Sequence, residues 1–470
     1  MSKDWQSDFD DGYSTRPDSL SFTLQYTATP GVEASWTTLN KGSSAYTIQL
    51  NAANGWSSTF TGLPAYDGAD NLLYYRVVEQ SLGNYAQAQP SGNQFHYVED
   101  GANQYSITFE NTLILTDFTM RKAWDDQNDK YGLRPSSVTV TLERTTTPNN
   151  AASWERVLFR SSGSTTATAV TATVPDGSGS WAHTFADLPK YDRSGALYIY
   201  RVVDSVHGYT YTGEMNADGT AYILTNHLKE FDFTATKQWD DQNDLYETRP
   251  ATLTVTLQRS VNASAAKPVW ENVVVNGSAI RVTLPYGEDG SWSYTFEKLP
   301  VEDAQGRTYT YRIAEDDIPG YRIDQVGSGW TSGGASYTLN NDLIVTDFTG
   351  RKVWNDQDNR YGTRPVSLTV TLQRSINASS DAAVWMDVVV NGSAITAVLN
   401  AANGWSHTFE DLPAMDTSGN AYSYRIRETV PTGYRLSSEG YDPSGAYVLT
   451  NNLIVTSLSV RKAWQDQNDK

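Results

Sequence analysis

One short pattern, Lys-x-Trp, returns five times along the chain and constrains its fold more than any other feature. It stands at Lys3-Asp4-Trp5, Lys122-Ala123-Trp124, Lys237-Gln238-Trp239, Lys352-Val353-Trp354 and Lys462-Ala463-Trp464. Successive lysines lie 119, 115, 115 and 110 residues apart. Each of the first four is followed by an Arg-Pro pair, at Arg16, Arg134, Arg249 and Arg364. Next come a Trp-x-x-Thr-Phe-x-x-Leu-Pro segment (from Trp56, Trp181, Trp292 and Trp405) and a Tyr-Arg pair (Arg76, Arg201, Arg312, Arg425). Asn-x-Leu closes each unit, at Asn111, Asn226, Asn341 and Asn451. Self-similarity at a fixed period means one structural unit per repeat. Four complete units follow, at 1–115, 116–230, 231–345 and 346–455, with 456–470 opening a fifth; so read, the chain is a fragment of a longer array.

The units read as β-structure. After Arg-Pro, Val138 to Leu142, Leu253 to Leu257 and Leu368 to Leu372 alternate apolar and polar residues, the mark of a sheet with one face in a core. Turn pairs such as Asn54-Gly55, Asp176-Gly177 and Asp289-Gly290 separate the runs, and no stretch keeps a helical period. Short strands and frequent turns in units of this size predict an all-β fold, one β-sandwich per repeat.

Composition excludes several functions. With no cysteine there is no disulfide, thiolate metal site or cysteine nucleophile. A net charge of −19 without a basic block argues against a nucleic-acid partner. No apolar run reaches membrane-spanning length, and the Met1 end has no signal-peptide pattern.

Residues two apart in a strand share a face, and this rule places three polar residues inward. Lys122 aligns with Phe118, Met120 and Trp124, while Arg121 faces water; Lys237 and Lys352 keep equivalent company. Glu79 follows Tyr75 and Val77, Glu315 follows Tyr311 and Ile313, and Glu428 follows Tyr424 and Ile426. Asn111, Asn226, Asn341 and Asn451 each end an apolar face. Buried charges are costly unless paired or neutralised. One reading is a structural Lys–acid ion pair with asparagine as a hydrogen-bond partner. The other is covalent. Burial lowers the lysine pKa and raises that of the acid, so a neutral amine attacks the asparagine side-chain carbonyl while the acid shuttles protons. Ammonia leaves, and an isopeptide cross-link without buried charge remains. Structural ion pairs share this residue pattern, so both readings stand on the residues alone.

The run Lys122-Ala123-Trp124-Asp125-Asp126-Gln127-Asn128-Asp129, with Arg134-Pro135, Trp181, Thr184-Phe185, Leu188-Pro189, Tyr200-Arg201 and Thr225-Asn226, resembles the collagen-adhesin B-type (Cna B-type) domain of Gram-positive surface proteins. The resemblance recurs four times and covers nearly the whole chain. It implies prealbumin-like, reverse-immunoglobulin sandwiches, many members of the family carrying a Lys–Asn isopeptide bond promoted by Glu. Carried over by position, the triads are Lys3, Glu79, Asn111; Lys237, Glu315, Asn341; and Lys352, Glu428, Asn451. The second repeat keeps Lys122 and Asn226 but has Asp204 at the acid position, one methylene shorter, which puts its bond in doubt.

Other motifs are set aside. The Asp/Asn-rich turns at Asp125 to Asp129, Asp240 to Asp244 and Asn355 to Asn359 offer oxygen ligands for calcium, yet lack the EF-hand glycine and distal glutamate; they read as solvated loops. Of His96, His183, His207, His227 and His407 only two share a repeat position, so no metal or catalytic site is expected. Asn262, Asn276, Asn377 and Asn391 fit a glycosylation sequon that reads as accidental on a bacterial surface protein. The expected function is a mechanical stalk: an extended rod of self-locked domains outside the cell, in a wall-anchored adhesin whose anchor lies elsewhere. No cofactor, turnover, nucleic acid or membrane contact is expected of this segment, which reads as a monomer whose contacts are its neighbouring repeats. The alternative is direct binding of a host protein or glycan. Repeat 1 is its best candidate, with 32 residues between acid and asparagine against 22, 26 and 23.

Overall fold

Alternation becomes sheet in every repeat. The computed structural model describes all residues except 91, 100, 102, 176–178, 218–219, 286–291, 331–333 and 466–470. Among the described residues the helical pieces are four three-residue 3-10 turns; everything else regular is strand. The expected turns at Asp176-Gly177 and Asp289-Gly290 fall outside the described residues. Asn54-Gly55 ends one of the 3-10 turns, with Gly55 in the left-handed region at φ 58°.

Two compact units make up the chain: Met1–Lys229 with Glu302–Arg307, and Glu230–Val301 with Thr308–Lys470. Within them repeats 2, 3 and 4 share one sandwich. In repeat 2 the first sheet runs Ala182–Pro189, Leu115–Asp125, Tyr222–Leu228, Tyr209–Met215. The second centres on Val138–Thr145, which pairs with Glu155–Arg156, Thr171–Val174 and Ile199–Val203. Inward faces of both sheets fill the core, with Met120, Val140, Leu142, Val202 and Leu224 essentially inaccessible.

The opening and closing strands run parallel, side by side. Lys122 stands opposite Leu224 and Trp124 opposite Asn226. The same register recurs for Lys237–Leu339, Lys352–Leu449 and Lys3–Phe109. First and last strands of each repeat are therefore neighbours, which brings residues about 100 positions apart onto one face. Single residues, Ile114 and Ile344, separate the closing strands Thr108–Leu113 and Ser336–Leu343 from the opening strands that follow.

Two segments depart from the repeat. The stretch from Trp56 to Pro64 forms no strand, whereas Ala182–Pro189, Trp292–Pro300 and Ser406–Pro413 do. Those strands pair with the first half of an eleven-residue opening strand; in repeat 1 that strand is only Ser2–Gln6, leaving a single Ser2–Ser57 bridge. Residues 454–465 likewise form no strand, unlike the opening strands Leu115–Asp125, Glu230–Asp240 and Val345–Asn355.

Candidate cross-linking site

The shared register delivers each lysine, acid and asparagine to one buried locus. Lysine comes from the opening strand, asparagine from the parallel closing strand, and the acid from the end of the Tyr-Arg strand in the facing sheet. In repeat 4 the Lys352 ammonium lies 3.2 Å from Glu428 Oε1 and donates to the Leu449 carbonyl, two residues before Asn451, at 3.3 Å. In repeat 1 Lys3 Nζ is 3.9 Å from Glu79 Oε1 and donates to Phe109 O at 3.1 Å, while Asn111 Nδ2 donates to the same Glu79 oxygen at 3.0 Å. In repeat 3 Lys237 Nζ donates to Gln238 O at 2.8 Å and Asn341 Nδ2 donates to Glu315. These lysine side chains and their acids in repeats 1 and 4 are at most 3% exposed.

Asp204 is the informative exception. Its shorter side chain still comes within 3.7 Å of Lys122, and both are buried. Lys122 Nζ donates to Leu224 O at 3.3 Å, the carbonyl corresponding to Phe109 and Leu449. Neither Asp204 oxygen has a hydrogen-bond partner among the described residues. The lost methylene thus leaves the lysine contact in place. Lys462 contrasts with all four: the segment around it is exposed, and its ammonium rests over Trp464.

Burial sets the protonation states. Desolvation lowers Lys3, Lys122, Lys237 and Lys352 from 10.5 to about 8, against the opposing pull of their acids. The same effect raises Glu79 to about 7 and pushes Asp204 and Glu315 upward. Near neutral pH a neutral amine beside a protonated carboxyl group is therefore accessible. All four asparagine Oδ1 atoms are buried without a hydrogen-bond partner among the described residues. Turning the amide of Asn111 or Asn341 over about its last bond would present that oxygen to the acid, the orientation that polarises the carbonyl.

A second buried network went unread in the sequence. The Arg-Pro arginines, noted only as markers, close ion pairs on an aspartate eight residues earlier: Arg16–Asp8, Arg134–Asp126, Arg249–Asp241 and Arg364–Asp356. A tyrosine hydroxyl donates to each aspartate, from Tyr85, Tyr209, Tyr321 and Tyr434. The constant eight-residue spacing was the available signal. It also corrects the reading of the Asp/Asn-rich turns as solvated. Asp126, Asp241 and Asp356 are buried, and their oxygens accept from the arginine and from backbone N–H groups of the turn. Those oxygens are occupied as acceptors by the fold itself. Among the histidines, His227 joins Thr212 and Asp125 in an exposed cross-strand hydrogen-bond chain. Asn276 and Asn391, of the sequon positions, sit at left-handed φ at hairpin tips.

The repeated locus coincides with one family model, the Cna protein B-type domain, matched at residues 1–100, 118–227, 233–341 and 348–452. The chain belongs to that family. A collagen adhesin of Staphylococcus aureus is 25% identical over 437 residues, covering 92% of this chain and 31% of that protein. The chain thus spans under a third of the length of that curated relative. A solved pair of B repeat units (B1B2) of the collagen binding protein (CNA) of Staphylococcus aureus is 24% identical, covers 96% of this chain and 98% of its own, and has a TM-score of 0.25. A major pilin protein (T-13) of Streptococcus pyogenes is 15% identical, covers 49% and 98%, and has a TM-score of 0.24. The domain type of this chain is thus shared with a collagen adhesin of Staphylococcus aureus.

Proposed function

We infer that this chain is a load-bearing stalk segment of a Gram-positive surface adhesin, its repeats locked by Lys–Asn isopeptide bonds. The observation that carries this reading is the fourfold convergence of a buried lysine, a buried acid and a buried asparagine between the first and last strands of a repeat. Lysine Nζ attacks asparagine Cγ, the new amide forms, the Cγ–Nδ2 bond breaks, and the acid passes a lysine proton to the departing ammonia. Each repeat reacts once on itself, so there is no turnover. The cross-links are Lys3–Asn111, Lys122–Asn226, Lys237–Asn341 and Lys352–Asn451, promoted by Glu79, Asp204, Glu315 and Glu428; Lys462 stays a free amine. Domain limits at 115, 230, 345 and 455, a monomeric state, and wall anchorage outside this segment belong to the same proposal. Intact mass tests it, since each bond removes one ammonia. A mass equal to that of the sequence would overturn all four bonds.

One observation favours a second reading for repeat 1. Its longer acid-to-asparagine stretch adds a strand, Phe95–His96, beside Tyr74–Glu79. A cavity of about 520 Å³ opens there, lined by Phe60, Leu63, Tyr75, Phe95, Tyr105 and Ile107 among others. An aromatic cavity of this size suits a glycan or an apolar peptide segment. Retention of repeat 1, and not repeat 4, on a glycan or matrix-protein array would support that reading.

A further inference from the structure

Each reacting lysine lies over an indole ring. Nζ is 4.4 Å from the ring centroid of Trp5, 4.2 Å from Trp124, 3.9 Å from Trp239 and 4.9 Å from Trp354. The guanidinium of the Arg-Pro arginine packs over the same ring at 5.7 to 5.8 Å in all four repeats. Two further aromatic residues grip each ring edge-on: Trp56 and Tyr85, Trp181 and Tyr209, Trp292 and Tyr321, Trp405 and Tyr434. Tyrosine and arginine are tied in turn to the buried aspartate.

The indole itself is poorly suited to this place as a mere filler. The Nε1–H groups of Trp5, Trp124, Trp239 and Trp354 are buried with no hydrogen-bond partner among the described residues. An orphaned buried donor costs about 1–3 kcal/mol, and a phenyl ring would avoid it. An indole does present the strongest π-face for a cation.

We propose that the tryptophan two residues after each lysine is a positioning residue for cross-linking: its ring face holds Nζ beside the acid and asparagine, and the Asp–Arg–Tyr network locks the ring. This rests on the isopeptide reading above. The ring touches the amine without taking a proton, so it acts through lysine. A π-face favours ammonium over amine, so losing it has two effects. The amine is placed less well, and it gives up its proton more easily. In repeat 3 the charged groups acting on Lys237 are Glu315 from the facing sheet, Asp241 and Arg249 from the network, and Asp342 from the closing strand. None of these changes in the variants below.

The test translates the full chain in a cell-free reaction, traps it in urea, and refolds it at pH 6 to 9. The Lys237–Asn341 cross-linked peptide is followed in time by mass spectrometry, with Lys352–Asn451 as an internal clock. Trp239→Phe should stay within about threefold of wild type. Trp239→Leu should be about tenfold slower at high pH, with its profile moved about one unit to lower pH. Chain translated with trifluorotryptophan, which keeps ring shape and weakens the π-face, should show the acid shift in all four repeats; this arm decides if the leucine variant does not fold. An unshifted profile in the fluorinated chain, or Trp239→Phe as slow as Trp239→Leu, overturns the proposal and leaves the cross-links standing. Absence of the wild-type bonds overturns both.

Discussion

A lysine and a carboxylic acid enclosed together lose more hydration than their attraction restores, and this deficit is the chemical resource of the site. Asn111→Ala preserves the unreacted pair in repeat 1 and lets the deficit be read against pH. Lys3 titrates near 8 in the fold against 10.5 when unfolded, so the unfolded state holds more protons between those values and stability rises with pH there. Glu79 titrates near 7 against 4.5, so its contribution is full below 4.5 and is lost as pH climbs to 7. Repeat 1 of this variant should melt at its lowest temperature between pH 7 and 8 and recover on both sides. The cross-linked chain should lack the alkaline recovery, because an amide nitrogen does not titrate. Calorimetry of both chains from pH 4 to 10.5 checks this, and a flat alkaline limb in Asn111→Ala would refute it. At the same scale, Glu315→Ala should abolish the Lys237–Asn341 bond alone; peptide mapping that still finds it would remove the assigned role of the acid.

The strand pair is the element that turns this chemistry into stability. Opening and closing strands already share a parallel ladder, and the proposed bond would fasten it covalently across a loop of about 100 residues. By analogy with disulfides the stabilisation is ~4–5 kcal/mol, without sensitivity to reductant. Lys352→Ala should lower the melting temperature of repeat 4 and open it to protease; unchanged melting and proteolysis would count against the bond. The Asp–Arg network acts on the turn that follows the opening strand. Arg364 and two neighbouring donors hold the Asp356 carboxylate down to about 2. Removing one partner of such a buried pair leaves the other uncompensated, at about 3 kcal/mol. Asp356→Ala in the Lys352→Ala background should therefore destabilise repeat 4 further in urea, and an unchanged midpoint would show the pair to be expendable.

For the whole molecule, asparagine and the next lysine are always 11 residues apart, and these segments carry one glycine, Gly350, and no proline. In the stalk function proposed above, this equal spacing is expected to repeat the same junction along the chain, as in quasi-one-dimensional arrays. If the proposed bond forms, force entering a repeat near its lysine would leave near its asparagine through that bond, bypassing the residues between. Single-molecule pulling should show no full-domain extension for cross-linked repeats. Small-angle scattering should give dimensions far above a compact 470-residue globule, whose radius of gyration would be roughly 23 Å. A compact envelope, or sawtooth unfolding of every repeat at ordinary force, would favour the binding reading of repeat 1.

Much of this protein is written in its local pattern. Repeat identity, strand alternation and the inward faces of Lys122, Glu79 and Asn226 follow from period-two geometry, which needs only neighbours along the chain. What the pattern left open depended on contacts distant in sequence. Whether Asp204 could reach Lys122 turned on how closely the two sheets pack, a distance no strand encodes by itself. Arg134 looked like punctuation because its partner Asp126 sits in a turn that reads as solvated until the fold closes over it. The short first strand left Trp56 to Pro64 without a ladder, although the segment carries the same residues that form one in repeats 2 to 4. A strand is made by its partner as well as its sequence, and only the tertiary structure supplies the partner.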